Sequence, residues 1–257
     1  MKPISIRIIS LASRSDRRRQ IADQFDRLGV SGYSFLDAVN GKQQPDHPLF
    51  AHYDPAARAR VKGRGRDLKP SQLGCFASHY LLWQECAESG QPLIVVEDDA
   101  ILKENFPEML AHSEALLQAW PFIWLHEYDR AGPDPRMTVG RVGAFTLVRK
   151  LKNHFCAVAY LLSPPAAVAL LDHCRVWVYP VDDTMFRFYE HGVENIVLQP
   201  ACVAQDHGSP SDITGSGGET PLRLSDIVRR EAYKTRDEVW RLWHNLRFRL
   251  RFRRPAS

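Results

Sequence analysis

The chain has few cysteines for its 257 residues, five in all. Their number is odd and no CxxC spacing occurs, which argues against a disulfide framework and against a zinc cage; Cys75, Cys86, Cys156, Cys174 and Cys202 read mainly as small buried hydrophobes. No apolar run approaches the roughly 18 residues a membrane helix needs. The start, "MKPISIRIISLASRSDRRR", does not fit a signal peptide, because its apolar stretch is short, carries Arg7 and runs into charge. These features suggest a cytosolic protein. Repeats and low-complexity tracts are lacking too. The net charge of +4 is small but uneven, with basic runs at 58 to 69 and at the C-terminus. A 44% hydrophobic content supplies material for one large core.

What is present reads as alternating strand and helix. "ISIRIISL" is a strand. A helix follows with Ile21, Phe25 and Leu28 on one face, Ser15 or Asp16 as its cap and Gly29 as its stop. "YSFLDAV" is a second strand. Residues 40 to 70 suggest a long, mobile basic loop with at most one helical turn. "SQLGCFASHYLLWQECAESG" predicts a helix capped by Ser71, and "PLIVVEDD" a strand buried on both faces. Helix and strand follow over "ENFPEMLAHSEALLQAW" and "PFIWLHEYD". A Gly/Pro-rich loop is expected at 131 to 140, then two strands, a proline-started helix, the short helix "PVDDTMFRFYEHG" and one late strand, "VENIVLQPACVAQD". The pattern is that of an α/β sheet.

The run Glu97, Asp98, Asp99 closes the buried strand. Three like charges there repel one another and resist desolvation. Either they are solvated, or a cation compensates them. In open α/β sheets ligands bind beyond the carboxyl ends of strands. In an extended segment Glu97 and Asp99 point the same way, and oxygen donors suit Mg²⁺ or Mn²⁺.

"GCFASHYLLWQE" followed by "VVEDDAIL" resembles the signature pair of glycosyltransferase family 25, the bacterial lipooligosaccharide and LPS galactosyltransferases and the related collagen galactosyltransferases. "SLASRSDRR" at 10 to 18 and "YPVDDTMF" at 179 to 186 match two further family motifs, in the family's order. The resemblance implies a GT-A-like fold: a mixed, mainly parallel sheet flanked by helices over residues 1–220, with 221–257 a basic, aromatic helical extension outside it. It implies inverting transfer of a sugar, usually galactose from UDP-galactose, to a hydroxyl of a lipid-linked glycan.

On that reading the acidic run is the metal motif, as ExD or EDD rather than DxD. Asp99 is the first candidate ligand, with Glu97 beside it, Asp98 nearer the ribose or donor sugar, and His207 completing the shell; Gln205 and Asp206 are comparable guesses. Inverting transfer needs a base for the acceptor hydroxyl. Asp182 is the first candidate, Asp183 the second and Glu127 a rival. Arg14 and Arg17 suit the uracil or diphosphate, whereas Arg18 and Arg19 read as a solvated helix face. Ser78 and His79 carry the family's "SH", either as donor contacts or as a satisfied core network.

In the tail, Val239, Leu242, Trp243, Leu246 and Leu250 share one helical face, and Phe248 and Phe252 the other. A basic aromatic helix over 236–254 suits an anionic membrane surface, peripheral on the inner face of the cytoplasmic membrane. Packing on the protein's own domain or on another subunit is the plainer alternative. No nucleic-acid recognition motif accompanies the charge. Two other classes of function fit the acids less specifically: a Mg²⁺-dependent phosphohydrolase, and a membrane-associated binding module with a degenerate site.

Overall fold

The computed structural model describes residues 4–127, 134–152, 156–206 and 223–252. Strand β1 (Ser5–Ser10) buries Ile6 and Ile8 on one face. Helix α1 (Ser15–Arg27) buries Ile21 and Phe25, one turn apart, and Gly29 follows it at φ +66°. Neither Ser15 nor Asp16 caps it: Arg14 flanks the first turn and pairs with Asp16 instead. Strand β2 (Tyr33–Asp37) comes next.

The stretch expected as a mobile loop is ordered. A 3₁₀ turn spans Pro48–His52, and α2 (Pro55–Lys62) begins with Pro55 and an Asp54 carboxylate accepting from Ala57 N at 2.8 Å. Helix α3 (Pro70–Ser89) starts one residue before the expected cap, with Lys69 flanking it. Its buried residues, from Gly74 to Cys86, lie on nearly every side of the helix, Ser78 and His79 among them.

Strand β3 (Leu93–Glu97) ends at Glu97, so Asp98 and Asp99 lie in a turn to β4 (Ala100–Leu102) rather than in extended chain. Helix α4 (Phe106–Ala119) and β5 (Phe122–Trp124) follow. Where a Gly/Pro-rich loop was expected, β6 (Arg136–Val142) forms an edge hairpin with β7 (Phe145–Lys150) across Gly143, at φ +56°. Strand β8 (Ala159–Leu162) leads to α5 (Pro164–His173), capped by Ser163. The "PVDD" segment makes two short helices, α6 (Val181–Met185) and α7 (Phe188–His191). The late strand splits at Pro200 into β9 (Ile196–Gln199) and β10 (Val203–Gln205), and α8 (Leu224–Phe252) is the C-terminal helix.

The main sheet has the order β2-β1-β3-β8-β5-β9-β7-β6. Its pairings set β8 and β7 against the other strands, so six of the eight run one way. The mixed, mainly parallel sheet flanked by helices is therefore as expected. Alternation along the central strands divides the core. Leu93, Val95, Tyr160 and Leu162 face α3 and α5; Ile94, Val96, Ala159 and Leu161 face α1 and α4. Glu97 has the parity of Leu93 and Val95, which points it toward α3.

Candidate active site at the acidic turn

A cavity of about 300 Å³ opens at the carboxyl ends of β1, β2 and β3. Its walls come from residues 9–14, the 38–42 segment, the start of α3 and the three acids. Two glycines let the 38–42 segment lie against α3. A Cβ on Gly74 would sit 2.3 Å from Val39 O, and one on Gly41 would sit 1.8 Å from Pro70 O. Ser78 completes this seam: its hydroxyl accepts from Val39 N at 2.9 Å and donates to Gly74 O at 2.8 Å. Ser78 is fully buried, so it shapes the wall through the backbone.

Asp98 turns toward β1 and α1. Ser10 Oγ donates to one of its oxygens at 2.6 Å and Arg17 Nη1 to the other at 3.2 Å. Burial raises its carboxyl above the usual range, and Ser10 and Arg17 oppose that. Arg14 lines the same cavity while holding Asp16 with two hydrogen bonds. Arg18, expected on a solvated face, instead donates to Ser10 O at 2.9 Å and lies 5.0 Å from the centre of the Phe35 ring.

Glu97 is fixed from the α3 side by a directional chain. Trp83 Nε1–H can only donate, and it reaches Tyr160 Oη at 3.0 Å. The Tyr160 hydroxyl lies 2.8 Å from His79 Nδ1, and His79 Nε2 lies 2.9 Å from Glu97 Oε1. The ionised Glu97 carboxylate can only accept, so His79 Nε2 donates to it, while Nδ1 meets the phenol. Trp83, Tyr160 and His79 are all buried. Cys75 completes a donor group with His79 and Glu97, the three ligand atoms lying within 4.8 Å of one another. Burial, with Glu97 and Asp182 nearby, holds the Cys75 thiol well above its usual range.

Asp99 is the least compensated of the three acids. Burial pushes its carboxyl up to about 7, with Glu97 and Asp98 adding repulsion and Arg17 and Gln205 only partly opposing it. Its Oδ1 is buried without a hydrogen-bond partner among the described residues. The antiparallel pairing of β10 with β4 sets Gln205 opposite Ala100, which brings its amide to Asp99, and Asp206 N donates to Asp99 O at 3.0 Å. Asp206 also borders a small cleft with Arg17, Asp98 and Asp99. What Asp99 offers a hard divalent cation is one buried, unpartnered carboxylate oxygen, with Glu97 two residues away.

The three base candidates differ in surroundings. Asp182, at the start of α6, is raised by burial, with Asp183 and Glu97 adding to the effect, while Asp183 N donates to it at 2.8 Å. Asp183 faces Lys62 of α2 at 3.5 Å. None of the three lines the cavity, and Glu127 holds Gln199, Lys150 and Arg136. Burial would raise it, but those donors outweigh burial and lower it, so it reads as an ion-pair hub between β5, β7 and β9. His207 lies outside the described residues. Sequence reasoning did not find Ser10, Cys75 or Tyr160 as site-forming residues; Ser10 ends a strand beside the acids, a position that could have drawn attention.

Residues 4–185 match the model of glycosyltransferase family 25, described as LPS biosynthesis protein. The chain belongs to glycosyltransferase family 25. It is similar to the lacto-N-neotetraose biosynthesis glycosyltransferase LgtB of Neisseria meningitidis serogroup B, 30% identical over 77% of this chain and 74% of that protein. The LgtE enzyme of the same biosynthesis in Neisseria gonorrhoeae is 34% identical over 77% of this chain and 73% of its own length. The procollagen galactosyltransferase 1-A of Xenopus laevis is 27% identical over 93% of this chain but only 39% of that protein.

Proposed function

We propose that this family 25 member transfers galactose from UDP-galactose to a hydroxyl of a lipopolysaccharide or lipooligosaccharide glycan, with inversion and with a divalent metal. Asp99, with its buried unpartnered oxygen beside the cavity, is the observation that carries this reading. The collagen relative's name, a galactosyltransferase, supports the sugar, and the family's description as LPS biosynthesis protein supports the acceptor class.

In this scheme the catalytic unit is residues 1–220, with 221–257 an extension. Asp99 and Glu97 would hold the metal, with His207, outside the described residues, the further ligand expected from the sequence. A bound Mn²⁺ or Mg²⁺ supplies positive charge that stabilises the leaving diphosphate. Arg14 and Arg17 hold the nucleotide diphosphate, and Asp98, tied to Ser10 and Arg17, faces the ribose or sugar. His79 donates to Glu97 and so fixes one carboxylate oxygen while leaving the other to bind. Asp182 accepts the proton of the acceptor hydroxyl as its oxygen attacks the anomeric carbon. The bond from that carbon to the diphosphate oxygen breaks and UDP leaves. Burial raises Asp182, which strengthens it as a base once ionised. A single displacement inverts the anomeric centre. A lipid-linked acceptor would put this reaction at the inner face of the cytoplasmic membrane.

The test is product analysis with UDP-galactose and a truncated lipooligosaccharide, with Mn²⁺ or with EDTA. The expected result is acceptor-dependent UDP release and a β-linked galactoside, seen only with metal. Phosphate release without any acceptor would favour the phosphohydrolase reading instead.

A further inference from the structure

Helix α8 packs with its polarity reversed. Its two buried residues are Asp226 and Asn245. Asn245 Oδ1 accepts from the fully buried Arg149 at 2.7 Å, and its amide donates to Leu151 O at 2.9 Å. Arg149 also donates to Glu194 at 2.7 Å, and His244 meets the same carboxylate at 2.8 Å. The Arg149 guanidinium lies 4.1 Å from the centre of the Phe248 ring. Nearer the middle of the helix, Arg187 reaches Asp237 at 2.7 Å. Polar and charged groups thus fasten the helix to the domain.

The opposite face is apolar and open. Val239, Leu242, Trp243, Leu246 and Leu250, spaced at i, i+3, i+4, i+7 and i+11, are each about half exposed or more, at 49 to 60%. Val228 and Leu224 extend the same stripe at 62% and 77%. A surface helix ordinarily turns its apolar stripe inward and its charges outward. From residue 239 to 252 the helix carries four arginines and no acid, and Arg247, Arg249 and Arg251 are exposed beside the stripe. Trp240, half exposed, falls on the same flank as Arg247 and Arg251. Apolar side chains flanked by indoles and guanidinium groups match the layers of an anionic bilayer surface. None of the described helices is long and apolar enough to cross a membrane.

We infer that the outward face of α8 is a docking surface for an anionic lipid bilayer, on which the helix lies flat and held to the domain through Arg149 and Asn245. Helix α2 packs against α8 and carries Lys62, which reaches Asp183 beside Asp182. The docking helix and the acid pair of α6 are therefore joined through one element.

The test uses the full chain without donor or acceptor, so its outcome is independent of the transferase reading. Co-sedimentation is measured with phosphatidylcholine vesicles, with and without 30% phosphatidylglycerol. Binding to the anionic vesicles is expected, with a blue shift of tryptophan fluorescence and at least about 10-fold weakening at high salt. Leu242→Ser, Leu246→Ser and Leu250→Ser together are expected to weaken binding about 10-fold or more at an unchanged melting temperature. Arg247→Gln, Arg249→Gln and Arg251→Gln together are expected to remove the preference for phosphatidylglycerol. Failure to bind anionic vesicles, or equal binding by the serine variant, overturns the inference. So does a dimer in sedimentation equilibrium that the serine variant converts to monomer, since a second copy would then cover the face.

Discussion

Replacing Asp99 by Asn separates the stability of the site from its function. In the folded protein the Asp99 carboxyl is pushed up to about 7, against 3.8 for the free side chain, first by burial and then by Glu97 and Asp98. Between those values the folded state holds a proton that the unfolded state has lost, so stability falls as pH rises through that window. The shift corresponds to on the order of 4 kcal/mol at most, and water reaching the cavity reduces it to about 2 kcal/mol. At pH 5 the wild-type carboxyl is protonated and Asn is a near-isostere, so the variant should match it. At pH 8 the variant should be the more stable by about 2 kcal/mol, or about 4–8 °C in melting temperature for a chain of this size. Thermal and urea unfolding with EDTA, on both proteins at both pH values, give the number. Wild type alone would not isolate it. His191, held down to about 3 by burial, loses stability as pH falls below its usual value near 6.5. Asp98 and Asp182, both raised, shift in the same sense as Asp99. Only the difference between the proteins isolates one carboxylate. A variant less stable at pH 8, or an equal difference at both pH values, would refute the electrostatic reasoning. With metal and donor, the same variant should lose turnover at least about 100-fold.

Three further outcomes follow from the geometry. Gly74→Ala drives a methyl into Val39 O and should cost about 1–3 kcal/mol in urea unfolding while weakening nucleotide binding; an unchanged midpoint would contradict the close approach. Tyr160→Phe leaves Trp83 N–H and His79 Nδ1 unpaired and should cost about 1–3 kcal/mol. Nitrogen-15 NMR should then show the His79 Nδ1 resonance moved by loss of the phenol contact, with the Nε2–H kept against Glu97. Asp182→Asn should lower kcat about 100-fold or more with UDP–Mn²⁺ affinity kept, and retained kcat would remove Asp182 as the base.

Local pattern carried much of the fold. "LIVVE" reads as a buried strand because both its parities are apolar, and β3 buries Leu93 through Val96. Helix α2 and strand β6 escaped notice because Arg, Gly and Pro in those stretches mask a short cap-and-turn and an edge alternation. The acids, Arg14, Arg17 and His79 were legible as residue types at a strand end and on a helix. Their partners were not: Tyr160 lies 81 residues from His79, and no local signal pairs them. The two faces of α8 were separable on a helical wheel, but which face meets the domain depends on Arg149 and Glu194, far away in sequence.

The most direct test of the central claim is calorimetric titration of UDP into wild type and Asp99→Asn, each with Mn²⁺ and with EDTA. Wild-type binding should require Mn²⁺ and be lost in the variant. UDP binding indifferent to both metal and Asp99, or no UDP binding under any condition, would contradict the acidic turn as the metal–nucleotide site.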